Sequence, residues 1–211
     1  MSINAVIQID EGRVMDTEKI SWEDWIPVLE DELEKEMQKA PEISQVHATD
    51  HIHRVWSRCL RIGQDLGADL MVLIAATYLH DLGRHYIQDK VHGALSAEIA
   101  EPVLQRIDFP HEKREAVLHA IRVHDISATP QDRKTVEARI LYDCDKLETV
   151  GVIGILRYIL HYYGKASIDY MLEDIDNRLN GLSLPETREY AVKDYEYIKN
   201  YFERLKQELD A

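Results

Sequence analysis

Apolar residues recur along this chain at helical spacing, in segments punctuated by glycine and proline. Val55, Cys59, Ile62 and Leu66 follow at steps of four, three and four, one face of a helix over about 47–66, and His51 extends that face while His53 does not. Gly67 ends the segment. From Ala68 to Leu82 the chain is apolar nearly all round (Leu70, Met71, Val72, Leu73, Ile74, Ala75, Ala76), the pattern of a central, buried helix, and it terminates in His80-Asp81-Leu82-Gly83. Upstream, Ser21-Trp22-Glu23-Asp24 reads as a helix start, a hydroxyl N-cap followed by an acid three residues on. That helix tolerates Pro27 near its beginning, runs to about Lys39 and ends at Ala40-Pro41, because proline disfavours helix in the residue before it.

Downstream, His92 to Ile107 predicts a weaker helix that Pro102 should kink or divide, and Pro110 to about His124 carries Ala116, Val117, Ala120 and Ile121 on one side. A loop around Thr129-Pro130 precedes helical spacing over Thr135–Val150 and Gly151–Tyr163; Gly164 then breaks the chain before a helix from about Ser167 to Asn180, capped by Gly181. From about Pro185, Ala191, Tyr195, Ile198, Phe202, Leu205 and Leu209 form a narrow seam that either packs back on the domain or makes a homodimer contact. Residues 1–20 are short and mixed, no alternating strand is evident, and the expectation is an all-α bundle of about eight helices without repeats.

Composition narrows the partners. With 39 acidic against 25 basic residues the formal net charge is −14, which repels polyanions and argues against nucleic acid. A small phosphate ester remains compatible if a metal ion and local arginines or lysines reverse the potential in one cleft. Cys59 and Cys144 lie in apolar helical stretches, as free thiols of a reducing cytoplasm do, and the opening MSINAVIQIDEGR indicates neither export nor membrane insertion.

A histidine followed by aspartate at the end of a buried apolar helix demands a partner, since a buried polar or charged group must be hydrogen-bonded, paired or metal-bound. His80-Asp81 could be a ligand pair or a cap. His51 points into the core toward the same region, and imidazoles and carboxylates converging from different helices are how bundles build metal sites. Ile140-Leu141-Tyr142-Asp143-Cys144-Asp145-Lys146-Leu147 supplies a further carboxylate, but residues two apart on a helix cannot both face one ion. Asp143 shares a side with Ile140 and Leu147, Asp145 with Leu141 and Thr149, so periodicity leaves the choice open.

Four segments in order resemble the HD-domain hydrolases, in particular the compact branch that includes small nucleotide pyrophosphohydrolases. His51-Ile52-His53-Arg54-Val55 is similar to an H-x-x-R-V opening and Leu79-His80-Asp81-Leu82-Gly83 to an L-H-D-[IL]-G centre. Asp143-Cys144-Asp145-Lys146-Leu147-Glu148 resembles D-A-D-[KR]-L-[DE], and Gly151-Val152-Ile153-Gly154-Ile155-Leu156-Arg157 resembles G-x-x-G-[IL]-x-R. The likeness spans about residues 45–160, within one HD-type helical domain over 1–211 that adds an N-terminal helix within 1–40 and the amphipathic helix of 185–211. It implies one divalent metal (Mn, Mg, Fe, Co or Zn) held by His51, His80, Asp81 and Asp145, leaving Asp143 a structural role. Part of the branch has H-D-x-x-H where this chain has His47-Ala48, a departure that does not touch the four ligands.

The implied chemistry is hydrolysis of a small phosphorylated metabolite, most naturally a nucleotide, by metal-activated water, with Asp81 also able to accept the water's proton. Arg54, Arg84, Lys146 and Arg157 could hold phosphates, or be structural ion pairs. His92 and His124 fall where some HD proteins hold a second metal; each could equally cap a helix or lie at the surface, and His85, His111, His119 and His161 read as surface or core residues. A two-iron oxygenase, which would need His92 and His124, and a metal-containing binding or regulatory module are the alternatives.

Overall fold

The computed structural model describes residues 21–39, 49–87 and 91–210, and the backbone of 6–9 and 13–16. The latter form an antiparallel pair, β1 (Val6–Ile9) and β2 (Arg13–Asp16), with Val6 opposite Asp16. No strand was expected there: VIQI and RVMD each place two apolar residues side by side, so neither shows the strict alternation that identifies a strand. Otherwise the described chain is helical. His47-Ala48 and the Ala40-Pro41 stop lie outside the described residues.

A 3-10 turn at Trp22–Trp25 leads into α1 (Ile26–Lys39). Its start is the anticipated one, for the Asp24 carboxylate accepts from the Ser21 backbone N–H at 2.9 Å. Trp25 and Leu29 anchor α1 in the core, Trp25 meeting Phe109 edge-on with centroids 4.8 Å apart. Helix α2 (Thr49–Leu66) buries His51, Val55, Cys59 and Ile62 and ends at Gly67, whose φ of 65° is left-handed. Asp69 caps α3 (Leu70–Leu79), accepting from the N–H groups of Met71 and Val72; α3 is buried from Val72 to Leu79 and packs against α1 and α2.

Helices α4 (Gly93–Arg106), α5 (His111–Arg122) and α6 (Val136–Lys146) complete the main core. Pro102 does not divide α4. It lies on the exposed side with Glu98, whose carbonyl it leaves without a helical donor, so water can satisfy that group while Ala97, Ala100, Val103 and Leu104 hold both halves to the core. Helices α7 (Gly151–Tyr162), α8 (Ile168–Asn180) and α9 (Pro185–Leu209) form a smaller cluster around Ile155, Tyr158, Met171, Ile175, Ile198 and Phe202. The C-terminal seam thus packs back: Ala191, Ile198 and Phe202 are fully buried, and of its apolar residues only Leu209 is well exposed. Nine α-helices are present among the described residues, and none of them is long and apolar enough to cross a membrane.

Candidate metal centre

The site forms where α2, the end of α3, the start of α4, the end of α5 and α6 converge. His51 comes from the first full turn of α2, on the stripe that buries the helix. His80 is the C-cap of α3 and Asp81 opens the following 3-10 turn, Leu82–His85. Gly83 lets that turn approach α4, because a Cβ there would lie 2.8 Å from the His92 carbonyl oxygen and 2.9 Å from the Ser96 nitrogen. In its place the Gly83 N–H donates to Ser96 Oγ at 2.9 Å.

Four of the anticipated side chains face one another. His51 Nε2 lies 3.4 Å from Asp145 Oδ1 and 3.6 Å from Asp81 Oδ2, and His80 Nε2 lies 3.9 Å and 3.6 Å from the same two oxygens. On α6, Asp145 faces the histidines, whereas Asp143 faces away. The Asp143 carboxylate accepts from the Ser183 and Leu184 N–H groups and from Thr187 Oγ1 at 2.6 Å, anchoring the entry to α9.

A second group shares Asp81. His92 Nε2 is 2.8 Å from Asp81 Oδ1, His124 Nε2 is 3.6 Å from it, and the two Nε2 atoms are 2.9 Å apart. The ligand atoms of His51, His80 and Asp81, and likewise those of Asp81, His92 and His124, lie within 4.8 Å of one another, a spacing that could hold a metal ion. Neither His92 nor His124 is at the surface, and His92 makes no side-chain cap although it occupies the N-cap position of α4.

Backbone acceptors set two of the tautomers. His80 Nδ1 donates to the Thr77 carbonyl at 2.7 Å and His124 Nδ1 to the Ile121 carbonyl, which leaves both Nε2 atoms as bare lone pairs aimed inward. Burial lowers the pKa of His80 to about 3, and burial also lowers that of His124, so both rings are neutral. Burial would likewise lower His51, but hydrogen bonds with Asp145 and Glu148 outweigh it and raise the pKa. Asp145 is held well below the usual carboxylate range: burial opposes this, and Lys146 and His51 overcome it.

The sequence-predicted cations divide. Lys146 Nζ donates to Asp145 Oδ2 at 2.5 Å, and Arg84 Nε to Asp81 Oδ1 at 3.2 Å. Arg157 Nη1 is 3.2 Å from His51 Nδ1. Arg54 instead pairs with Glu148 at 2.7 Å, joined there by Arg58, a turn further along α2. Glu148 is fully buried and lies 3.4 Å from His51 Nδ1, so its arginines fix the carboxylate that borders the imidazole.

Sequence reasoning missed Asp125. Its Oδ2 accepts from the His92 and Gly93 N–H groups at 2.7 and 2.6 Å, and its Oδ1 from Ser127, which locks the loop bearing His92 to the end of α5. Burial pushes its pKa up, but Ser127 and the backbone donors outweigh this and bring it to about 2. His85, also passed over, is buried in the field of Asp81, which works against the burial that lowers its pKa, and its Nδ1 has no hydrogen-bond partner among the described residues.

Comparison with known proteins agrees with this architecture. Residues 49–150 match the HD domain family model. YpgQ of Bacillus subtilis is 28% identical over 119 residues, an alignment covering 54% of this chain and 56% of YpgQ. The solved structure of YpgQ in complex with ADP superposes with a TM-score of 0.70 at 19% identity, covering 90% of this chain and 97% of that one. A predicted HD superfamily hydrolase from an uncultured Thermotogales bacterium gives 0.62 at 20% identity, covering 88% and 93%. An HD-superfamily hydrolase from Bacillus thuringiensis gives 0.69 at 17% identity, covering 90% and 100%. At such identities the superpositions speak for the fold. The match to the HD domain model spans α2 to the approach to α7, the segment that carries the clustered histidines and aspartates, and the superpositions agree with it in fold.

Proposed function

We propose that this chain hydrolyses a small phosphorylated metabolite, foremost a nucleotide, using one divalent ion held by His51, His80, Asp81 and Asp145 and a second held by Asp81, His92 and His124. The observation that carries this reading is the placement of Asp81, with Oδ2 toward one histidine pair and Oδ1 toward the other. The donor set fits such ions. His80 Nε2 is buried, unprotonated in the tautomer Thr77 imposes, without a hydrogen-bond partner among the described residues, and faces two carboxylates. When bound, a divalent ion supplies Lewis acidity toward a phosphate oxygen and lowers the pKa of water.

The chain's own residues supply the rest. Thr77 and Ile121 orient the imidazoles through their carbonyls, and Asp125 fixes the loop that carries His92. Lys146 on Asp145 Oδ2, Arg84 on the same Asp81 Oδ1 that faces His92, and Arg157 beside His51 offer charge-assisted donors to a phosphate. Arg54 is committed to Glu148 and acts on the site through it. Asp81 would serve as ligand to such ions, and could accept a water's proton only at an oxygen not engaged in that way. The ADP complex of YpgQ supports a nucleotide as substrate. Cys59 and Cys144 are free and buried, which supports a reducing compartment such as the cytoplasm.

The test is release of phosphate or pyrophosphate from a nucleotide panel by metal-stripped protein reloaded with Mn²⁺ or other divalent ions, alongside Asp81→Ala and Asp145→Ala. Turnover that requires metal and is lost in both variants is the expected result; folded, metal-loaded protein inert on every substrate would refute it. The Asp81, His92 and His124 cluster also meets the requirement of a two-iron oxygenase. Oxygen uptake by iron-loaded protein without phosphate release would favour that second reading.

A further inference from the structure

Arg178 lies on α8, beyond the residues that match the HD domain, and its side chain is only 16% exposed. A guanidinium taken out of water needs acceptors for its whole donor fork. Among the described residues it finds one: Nε donates to Asp174 Oδ2 at 2.9 Å. Asp174 is shared, since Tyr158 Oη on α7 donates to the same oxygen at 2.8 Å. The pair is braced from two helices, while the terminal nitrogens of Arg178 have no described acceptor.

A plain ion pair one helical turn apart does not account for the surroundings. Arg178 lies in the field of Asp145 and acts repulsively on Lys146, whose own side chain is 3% exposed. The end of α8 comes close to α6: a Cβ added at its C-cap, Gly181, would stand 2.7 Å from Tyr142 Oη. Lys146 Nζ lies 5.0 Å from the centre of that Tyr142 ring, so Tyr142 links Lys146 to the end of α8 that carries Arg178, and an anion there would relieve the repulsion between the two cations. The wider balance points the same way. Asp81, Asp125, Asp145, Glu148 and Asp174 are outnumbered by Arg54, Arg58, Arg84, Lys146, Arg157 and Arg178, in a chain whose net charge is −14. Any divalent ion adds to that local excess.

We infer that Arg178 is a phosphate-binding residue of the metal site, taking with Lys146 the part of a di- or triphosphate tail remote from the ions, and that Asp174 and Tyr158 are its positioning residues. The inference rests on the phosphohydrolase reading for its substrate class. It adds that selectivity for the length of the phosphate chain is set by α8.

The experiment is calorimetric binding of inorganic tripolyphosphate and orthophosphate to metal-loaded protein, comparing the parent with Arg178→Gln, Arg178→Lys and Tyr158→Phe, with metal content and melting temperature measured for each. Loss of a charge-assisted hydrogen bond weakens binding by roughly 10- to 100-fold. That weakening is expected for tripolyphosphate in Arg178→Gln, with a smaller effect in Arg178→Lys and Tyr158→Phe and orthophosphate affinity changed less than about threefold. Should Arg178→Gln fail to fold, Arg178→Lys and Tyr158→Phe carry the test. Unchanged tripolyphosphate affinity in variants with full metal content overturns the inference, as does equal weakening of both anions or no tripolyphosphate binding by the parent. Turnover is not needed: tripolyphosphate bound through Arg178 by a protein that hydrolyses no nucleotide would sink the functional reading and leave this one standing. Hydrolysis with binding indifferent to Arg178 would do the reverse.

Discussion

Asp81 Oδ1 and His92 Nε2 lie 2.8 Å apart, and through that contact the aspartate after His80 joins a histidine pair from two other segments to the pair formed by His51 and His80. The arrangement makes the ligands unequal. Asp81→Ala is expected to lose both metal equivalents, whereas His124→Ala loses the second alone. Elemental analysis after reloading and desalting decides it, and retention of one full equivalent by Asp81→Ala would refute the shared role.

Metal removal should weaken the fold, because the ligands come from α2, α3, α4, α6 and the end of α5 and are brought together only in the folded chain. Free ion at about a hundred times its dissociation constant adds roughly 2.7 kcal/mol, which for a chain of this size is a rise of about 5–10 °C in melting temperature. Thermal melts with chelator and with Mn²⁺ measure it; coincident curves would count against both sites.

Asp143→Ala should be among the most destabilising changes, since it strips the acceptor from the Ser183 and Leu184 N–H groups and from Thr187 Oγ1. Leaving such donors buried and unpaired costs about 3 kcal/mol or more. Thr187→Val should cost about 1 kcal/mol. Denaturant melts give both values, and metal content should persist in folded Asp143→Ala because the carboxylate faces away from the histidines.

Gly83→Ala places a methyl 2.8 Å from the His92 carbonyl oxygen and 2.9 Å from the Ser96 nitrogen, both backbone atoms that cannot rotate away. About 1–3 kcal/mol of stability should be lost. Because the displaced segment carries His92, the second metal equivalent should weaken more than the first.

His85 supplies a pH test apart from the ligands. Burial lowers its pKa below the ordinary value of 6.5, so under acid the unfolded chain binds a proton that the folded chain refuses. Stability should therefore fall as the pH drops below about 6.5, and His85→Asn should flatten that limb. Equilibrium melts of both proteins between pH 7 and 5 would show it; parallel curves would mean that the ring titrates normally.

Legibility in the sequence followed the range of the signal. The stripe from His51 through Val55, Cys59 and Ile62 was readable because one helix dictates it, and that stripe aims His51 inward. Asp145 was separable from Asp143 only by resemblance, since both neighbour apolar residues and each is buried for a different reason. His92 and His124 lie outside helical periodicity, at the approach to one helix and just past another. Their convergence depends on Asp125 clamping segments 32 residues apart, a contact no local pattern contains. Arg178 carried no mark at all, for the role proposed for it depends on where the end of α8 meets Tyr142 of α6.

Helix α6 presents Asp145 to the histidines and, two residues earlier, Asp143 to the turn that launches α9. A rigid helix cannot roll to improve one grip without loosening the other. The C-terminal arm is in this sense a lever on the ligand set: strain, truncation or a partner's pull on α9 would be felt at the ion as a change in how firmly it is held, and filling the site would stiffen a helix that never touches it.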